Sequence, residues 1–328
     1  MRKSIPIMIL VMACLIVLPQ TNSNAADKIV LKLGYSSPTA NPWHACAEKF
    51  AQYVNEKTGG KVTVDLFPAE VLGSDKQMAE SIKMGTLDMH IAPQGVVAFY
   101  EPKMAALELP FLFDSPEKVA ALLDGPMGDE LAADLPAKGI RVLAYWENGL
   151  RHTTNSKKPI EKPEDLKGMK IRTPENKMTI SIFKALGANP APLTYSELYL
   201  ALSQGVFDGQ ENPITNIHAS KFYEVQKYIS LTYHKYEGKP FTVSEKVWKT
   251  LAPDIQKVIK DGAKMYAVEN RAMFKESEIK LLEDLKVRGM KVSTPDLQPF
   301  RDATKPVYAE WEQVLGKDFV AKVVNSAK

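Results

Sequence analysis

The sequence predicts an α/β protein of two domains, and three observations carry that expectation. From residue 29 onward, strand-like and helix-like stretches alternate as β-α-β-α-β, the order of a mostly parallel sheet with helices on its faces. Once an N-terminal leader is set aside, about 300 residues remain, a length that usually divides into two cores. At Glu147-Asn148-Gly149-Leu150-Arg151 the chain changes character, with Pro159 and Pro163 punctuating the entry to a new unit.

The leader consists of Arg2 and Lys3, an apolar block from Ile5 to Pro19, and the small-residue stretch Ser23-Asn24-Ala25. This pattern is that of a secretory signal peptide, with cleavage expected after Ala25; the block is too short for a membrane span. Val11-Met12-Ala13-Cys14 only loosely resembles a lipobox, because the apolar run continues past Cys14. The full chain has 42 Lys plus Arg against 39 Asp plus Glu, and loss of Arg2 and Lys3 leaves it near neutrality. Nucleic acid is therefore not the expected partner. Cys46 is the cysteine that remains after cleavage, so no internal disulfide is expected and stability must come from packing.

Ile29 to Tyr35 is β-branched and half-alternating, a first strand ending at Ser36-Ser37-Pro38. Asn41 to Lys57 places Cys46, Phe50, Tyr53 and Val54 at helical spacing and stops at Gly59-Gly60. Val62, Val64 and Leu66 alternate as a strand; Gly73-Ser74-Asp75 turns into a helix to about Met84; Leu87 to Ala92 is a third strand. Met104 to Phe113 is apolar enough to be core. Ser115-Pro116 opens a helix that Gly125-Pro126 breaks, and another with Leu131 and Leu135 precedes the strand Ile140 to Trp146. In the second unit, a strand runs to about Asn155, and Met169 to Ile171 is a short buried strand. A helix from Lys177 to Leu186, a strand near Ala191, the helix Tyr195 to Ser203, a helix started by Pro213 and the strand Tyr228 to Thr232 follow. Pro240 to Val243 is a strand. Asp254 to about Arg288 is helical throughout, with Gly262 inside it as a candidate bend. Lys291 to Ser293 is the last strand, before helices at about Asp296 to Leu315 and Phe319 to Val324.

The chemistry-bearing residues point to binding. The five histidines (His44, His90, His152, His218, His234) include no pair at helical i, i+3 or i+4 spacing, so no metal site is expected. No nucleophile elbow, phosphate loop or dinucleotide fingerprint is present, and no cofactor is expected. Arg172 follows an apolar strand and precedes Thr173-Pro174, so its planar fork cannot easily swing back to water; such a fork matches a carboxylate with two donors. Arg151 and Asn212 also sit at a strand end or a strand-to-helix turn, where open α/β sheets collect their ligands. On residue type alone, a structural salt bridge is the commoner role for such an arginine.

Two runs carry a family resemblance: Asn148-Gly149-Leu150-Arg151-His152-Thr153-Thr154-Asn155-Ser156 and Pro163-Glu164-Asp165-Leu166-Lys167-Gly168-Met169-Lys170-Ile171-Arg172-Thr173-Pro174. With Leu186-Gly187-Ala188-Asn189-Pro190 and Gly205-Val206-Phe207-Asp208-Gly209-Gln210-Glu211-Asn212-Pro213, the chain resembles DctP-type receptors, the periplasmic solute-binding proteins of TRAP (tripartite ATP-independent periplasmic) transporters. The resemblance implies a two-domain periplasmic binding protein fold with a hinge-bending cleft and a long helix spanning both domains. Domain I is expected over 26–149 plus 237–278 and domain II over 150–236 plus 279–328. Arg172 is implied as the main salt bridge to a ligand carboxylate, with Arg151 and Asn212 in support and His44, Asp75, Gln94, Trp146, Asn148 and Tyr195 as further lining. Trp146 and Tyr195 could instead be core, and Asp75 a helix cap.

The resemblance further implies a monomeric receptor in the periplasm, not an enzyme, that delivers a small organic anion to the small and large membrane subunits of a TRAP permease. That anion could be a sugar acid, a hydroxy acid, a C4-dicarboxylate or a small sulfonate such as isethionate. The stretch Ala144-Tyr145-Trp146-Glu147-Asn148-Gly149, with polar His44 and Asn148, tilts the expectation toward a hydroxylated anion. An exported enzyme acting on organic acids, or a receptor serving a sensor kinase or an ABC permease, would share such a pocket.

Overall fold

The computed structural model describes residues 28–327. The expected leader, its cleavage point and Cys14 lie outside the described residues. Two sheets organise the molecule. The first contains β1 (Ile29–Gly34), β2 (Val62–Phe67), β3 (Met89–Ile91) and β4 (Ile140–Leu150). The second contains β5 (His152–Asn155), β6 (Lys170–Thr173), β7 (Asn189–Pro192), β8 (Gly209–Asn212) and β9 (Tyr228–Ser230). β10 (Tyr236–Ser244) returns to the first sheet and β11 (Lys291–Ser293) to the second, giving orders β2-β1-β3-β10-β4 and β11-β9-β5-β8-β6-β7.

In the first sheet β1 pairs in parallel with β2 and β3, as the β-α-β-α-β pattern requires, while β10 inserts antiparallel between β3 and β4. That insertion puts Pro240 inside a central strand, where a residue without an N–H is rarely tolerated. Register shifts between Glu237 and Gly238 and between Phe241 and Thr242 bracket it, and β4 carries the extra residue each time. The sequence reading began this strand at Pro240 and missed its first four residues. It also ended β4 at Trp146, whereas the strand runs on to Leu150.

The chain crosses between sheets through Arg151, which joins β4 directly to β5, and back through residues 231–235 between β9 and β10. A third connection is the single helix Pro253–Val287. Its Ile259, Ala263, Ala267 and Phe274 pack into the core of the first sheet, and its Leu285 packs with Leu198, Ile217 and Ile229 of the second. The long helix spans both units, as expected. Gly262 does not interrupt it; a Cβ there would stand 2.9 Å from Tyr53 Cδ1 and 3.2 Å from Phe50 Cδ2, so the glycine allows a close approach to the helix Pro42–Lys57. Gly262→Val should lower stability by about 1–3 kcal/mol through overpacking; denaturant melts check this, and an unchanged midpoint would show that the aromatic rings yield freely.

Met104 to Phe113 is buried as expected, but as a 3-10 helix (Pro102–Glu108) and a turn, and it carries the fully buried Glu108. The last helix, Lys317–Ser326, gives Val320 to a cluster with Ile171 and Phe300, and Val323 to one with Leu107 and Leu131. The C-terminal segment therefore packs against both units. Among the described residues, no helix is long and apolar enough to cross a membrane.

Candidate functional site

Parallel strands direct their carboxyl ends, and the turns that follow, to one edge of a sheet, where side chains converge on open space. The two sheets face each other along these edges. From the first come Ser36 and Ser37 after β1, Glu70 after β2, Pro93 after β3 and Asn148 near the end of β4. From the second come Arg172 and Pro174 at β6, Tyr195 after β7, Asn212 at the end of β8 and Asn216 in the short helix Ile214–Ala219 that follows it. Together they line a cleft with about 560 Å³ of space free of atoms. Contacts that tie its walls together include Ser196 N–H donating to Glu70 Oε2 at 2.8 Å, Asn41 Nδ2 donating to Asn216 Oδ1 at 2.8 Å, and Asn216 Nδ2 donating to Asn148 Oδ1 at 3.2 Å. Glu70 and the preceding Ala69 both adopt left-handed φ, 58° and 56°. For residues with a side chain that conformation costs energy and holds the carboxylate toward the opposite wall.

Six of the nine expected residues line this cleft: Arg172, Arg151, Asn212, Asn148, Tyr195 and Asp75. The structure places the other three elsewhere. Trp146 is core, its Nε1 donating to Ala263 O at 2.9 Å, because the register skip at Asn148 reverses the alternation of β4. Gln94 is fully buried, with Nε2 donating to Met104 O. The His44 ring is held by Tyr35 Oη at 2.6 Å and lies 3.4 Å from Glu48. Of the two polar residues that favoured a hydroxylated ligand, only Asn148 faces the cleft. Asp75 does not cap its helix; Ser74 does, in a capping box with Gln77, which leaves Asp75 beside His90 at 3.0 Å.

The two arginines differ sharply in their partners. Arg151 bonds through all three nitrogens: Nη2 to Glu211 Oε1 at 2.7 Å and Asn212 Oδ1 at 3.0 Å, Nη1 to Glu237 Oε2 at 2.7 Å, and Nε to Glu211 Oε2. Burial alone would lower its pKa, but Glu211 and Glu237 outweigh it and keep the guanidinium charged far above its ordinary range. Burial likewise works against an ionised Glu211, yet Arg151, His234 and Lys235 hold that carboxylate well below the usual value. His234, whose Nε2 lies 3.1 Å from Glu211, is pushed down by burial to about 4 and is neutral at pH 7. Lys235 pairs with Glu108 at 3.2 Å. This buried network was not foreseen from the sequence. Its members are separated by 60 and 86 positions along the chain, and only the fold brings them together.

Arg172 has no such company. It is 2% exposed, and its acceptor is a backbone carbonyl, Leu193 O, reached by Nε at 2.9 Å and also by Nη2. No carboxylate lies within ion-pair distance among the described residues. Burial, only partly offset by Glu211 across the site, lowers its pKa to about 10, so it is still a cation at pH 7. The Tyr195 ring lies 5.9 Å from its Cζ. A buried charge without a counter-charge is expensive. Here it borders the cleft, with Nη1 free. Asn212, by contrast, is committed: Oδ1 accepts from Arg151 and Asn216, and Nδ2 donates to Gln210. Sequence reading also missed Asn216, Glu70, Glu237 and Lys239 as lining; Glu237 and Lys239 fall among the first four residues of β10, ahead of the expected start at Pro240. No group of three or more His, Cys, Asp or Glu able to hold a metal is present among the described residues.

Two α/β units that enclose a cleft with an unmatched cation in its wall define a solute-binding receptor. The chain belongs to the bacterial extracellular solute-binding proteins of family 7, the DctP family, whose model matches residues 33–314. It is 38% identical over 284 residues to the 2,3-diketo-L-gulonate-binding periplasmic protein YiaO of Escherichia coli K12, covering 86% of each chain. It is 43% identical over 278 residues to the protein y4mM of Sinorhizobium fredii, covering 84% of this chain but only 51% of that one, so it spans about half of that relative. Among solved structures it resembles a TRAP periplasmic solute-binding protein from Polaromonas sp. JS666 bound to D-erythronate, with a TM-score of 0.88 and 36% identity over 90% of this chain and 98% of that one. It also resembles the sugar acid binding protein of Advenella mimigardefordensis in complex with galactonate, with a TM-score of 0.89 and 34% identity over 92% and 98%.

Proposed function

We propose that this protein is a periplasmic receptor that binds a small organic carboxylate through Arg172 and hands it to the small and large membrane subunits of a TRAP permease. The observation that carries this reading is the bare guanidinium of Arg172: buried, charged and facing the cleft with no acid beside it. A ligand carboxylate would supply the missing charge and accept from Nη1. Arg151 and Asn212 take a different role from the direct ligand contacts first expected. Each of their polar atoms already has a partner within the protein, and they stiffen the wall from which Arg172 projects. The three crossings between the sheets supply the hinge, and closure brings Glu70 onto Ser196 and Asn41 onto Asn216.

The similar proteins named above support a carboxylate that also bears hydroxyl or keto groups. A thermal-shift screen of organic anions tests the proposal. A true ligand at 100 times its dissociation constant should add about 2.7 kcal/mol of stability. No shift with any carboxylate, or chemical turnover of the one that binds, would overturn it.

A further inference from the structure

Lys239 is a further cation of the cleft beside Arg172, Arg151 and Lys76, and the function proposed above makes no use of it. It lies on β10, is 4% exposed and borders the same space as Arg172 from the opposite sheet. No hydrogen bond or ion pair engages its ammonium among the described residues; Nζ rests 4.4 Å over the Trp43 ring. Trp43 is itself fixed, fully buried with Nε1 donating to Glu147 O at 2.6 Å. The ammonium is thus held by a cation–π contact that leaves its N–H donors for the cleft.

Its surroundings differ from those of Arg172. Asp75 and Glu70 line the same end of the cleft, and both act on the Lys239 charge, as does Glu237 behind them. Asp75 gives Oδ1 to His90. Glu70 gives Oε2 to Ser196, and burial, reinforced by the neighbouring Asp75, pushes its carboxyl above the usual range. Asp75 and Glu70 thus crowd the space that the Lys239 ammonium faces, and Lys76 lines the cleft beside Asp75. Arg172, by contrast, has no carboxylate within ion-pair distance among the described residues.

The geometry points to a selectivity filter, resting on the receptor function proposed above: Lys239 and Asp75, backed by Glu70, grip a hydroxyl at the far end of the ligand and reject a second carboxylate there. A hydroxyl suits this pair because it accepts from an ammonium and donates to a carboxylate at once. A carboxylate could accept from Lys239 but would offer Asp75 no proton and would meet like charge on both sides, a juxtaposition that proteins use to exclude wrong partners. The expected ligand is a polyhydroxylated monocarboxylate, anchored by its carboxylate on the second sheet and by a hydroxyl on the first.

Matched pairs test this, since an aldonate and the aldarate on the same carbon skeleton differ only in the terminal group. We expect calorimetry with threonate against tartrate and galactonate against galactarate to show at least tenfold tighter binding of the aldonate in whichever pair binds. Asp75→Asn should narrow that ratio to about threefold or less, and Lys239→Met should weaken the aldonate at least tenfold. Equal or tighter binding of the aldarate overturns the filter, as does an unchanged ratio in Asp75→Asn; either comparison stands even if Lys239→Met fails to fold. If aldarates win while Arg172→Ala still removes binding, the filter falls and the receptor survives. If no aldonate or aldarate of four or six carbons binds, the filter falls; if no organic anion binds at all, the receptor falls with it.

Discussion

Arg172→Ala should abolish tight ligand binding while leaving the empty protein at least as stable as wild type. The two halves of that expectation have one origin. In the empty cleft, Arg172 is a buried cation whose acceptor is a backbone carbonyl, so the protein bears a desolvation cost that no carboxylate offsets. Truncating it removes the cost and loses little. In the complex, the same truncation strands a ligand carboxylate without its counter-charge, a loss of about 2–5 kcal/mol, or roughly 30-fold to 5,000-fold in affinity. An arginine that stabilised the fold would behave in reverse, with a large fall in apo stability and a modest effect on binding. Calorimetric titration beside denaturant melts of the empty variant separates the cases. Near-wild-type affinity, or an apo loss of several kcal/mol, would reassign Arg172 to structure. Arg172→Lys should recover only part of the affinity, because an ammonium lacks the planar pair of donors.

What the sequence disclosed followed from how local each feature is. Arg172 was legible because a short apolar strand followed by Thr-Pro fixes where the next side chain can go, and four residues (Lys170–Thr173) suffice for the argument. The long helix was legible from periodicity alone, and even Gly262 could be read as internal. Trp146 was misplaced for a reason that no single strand reveals. Alternation along β4 puts Trp146 and Asn148 on one face, and only the pairing with β10 shows that Asn148 is an extra residue that flips the phase. Lys239 was hidden by the same strand, since a proline normally marks a strand edge and here sits between two register shifts in the middle of a sheet. The charges around Arg151 were least legible. Glu108 stands in a stretch that reads as apolar core, and Glu211, Lys235 and Glu237 in stretches that read as connections, yet each is buried and tolerated there through partners from distant parts of the chain.

That buried network yields the second large effect, which falls on folding. Glu211→Ala should destabilise the protein by about 3–5 kcal/mol, the usual cost of removing one member of a buried ion pair. Glu211 accepts from Nε and Nη2 of Arg151 and from His234, so its loss leaves Arg151 with Glu237 as its remaining acid. His234 cannot take over its role, because an imidazole is either neutral or a cation, and burial keeps it neutral down to about pH 4. Arg151→Met should cost a similar amount by stranding Glu211. The informative measurement is the double variant Arg151→Met/Glu211→Leu, which removes both charges and leaves neither ion unpaired. It should be less destabilised than the sum of the single variants by more than about 1 kcal/mol, the coupling expected of residues in direct contact. Additive losses would mean that each residue acts through separate partners. Because Arg151 joins β4 to β5 at a crossing between the sheets, a coupled pair there ties the fold together at the point where the cleft must bend. In the proposed receptor such a pair stiffens the hinge wall, which is why the two arginines of this site should separate so cleanly: one lost from binding, the other from stability.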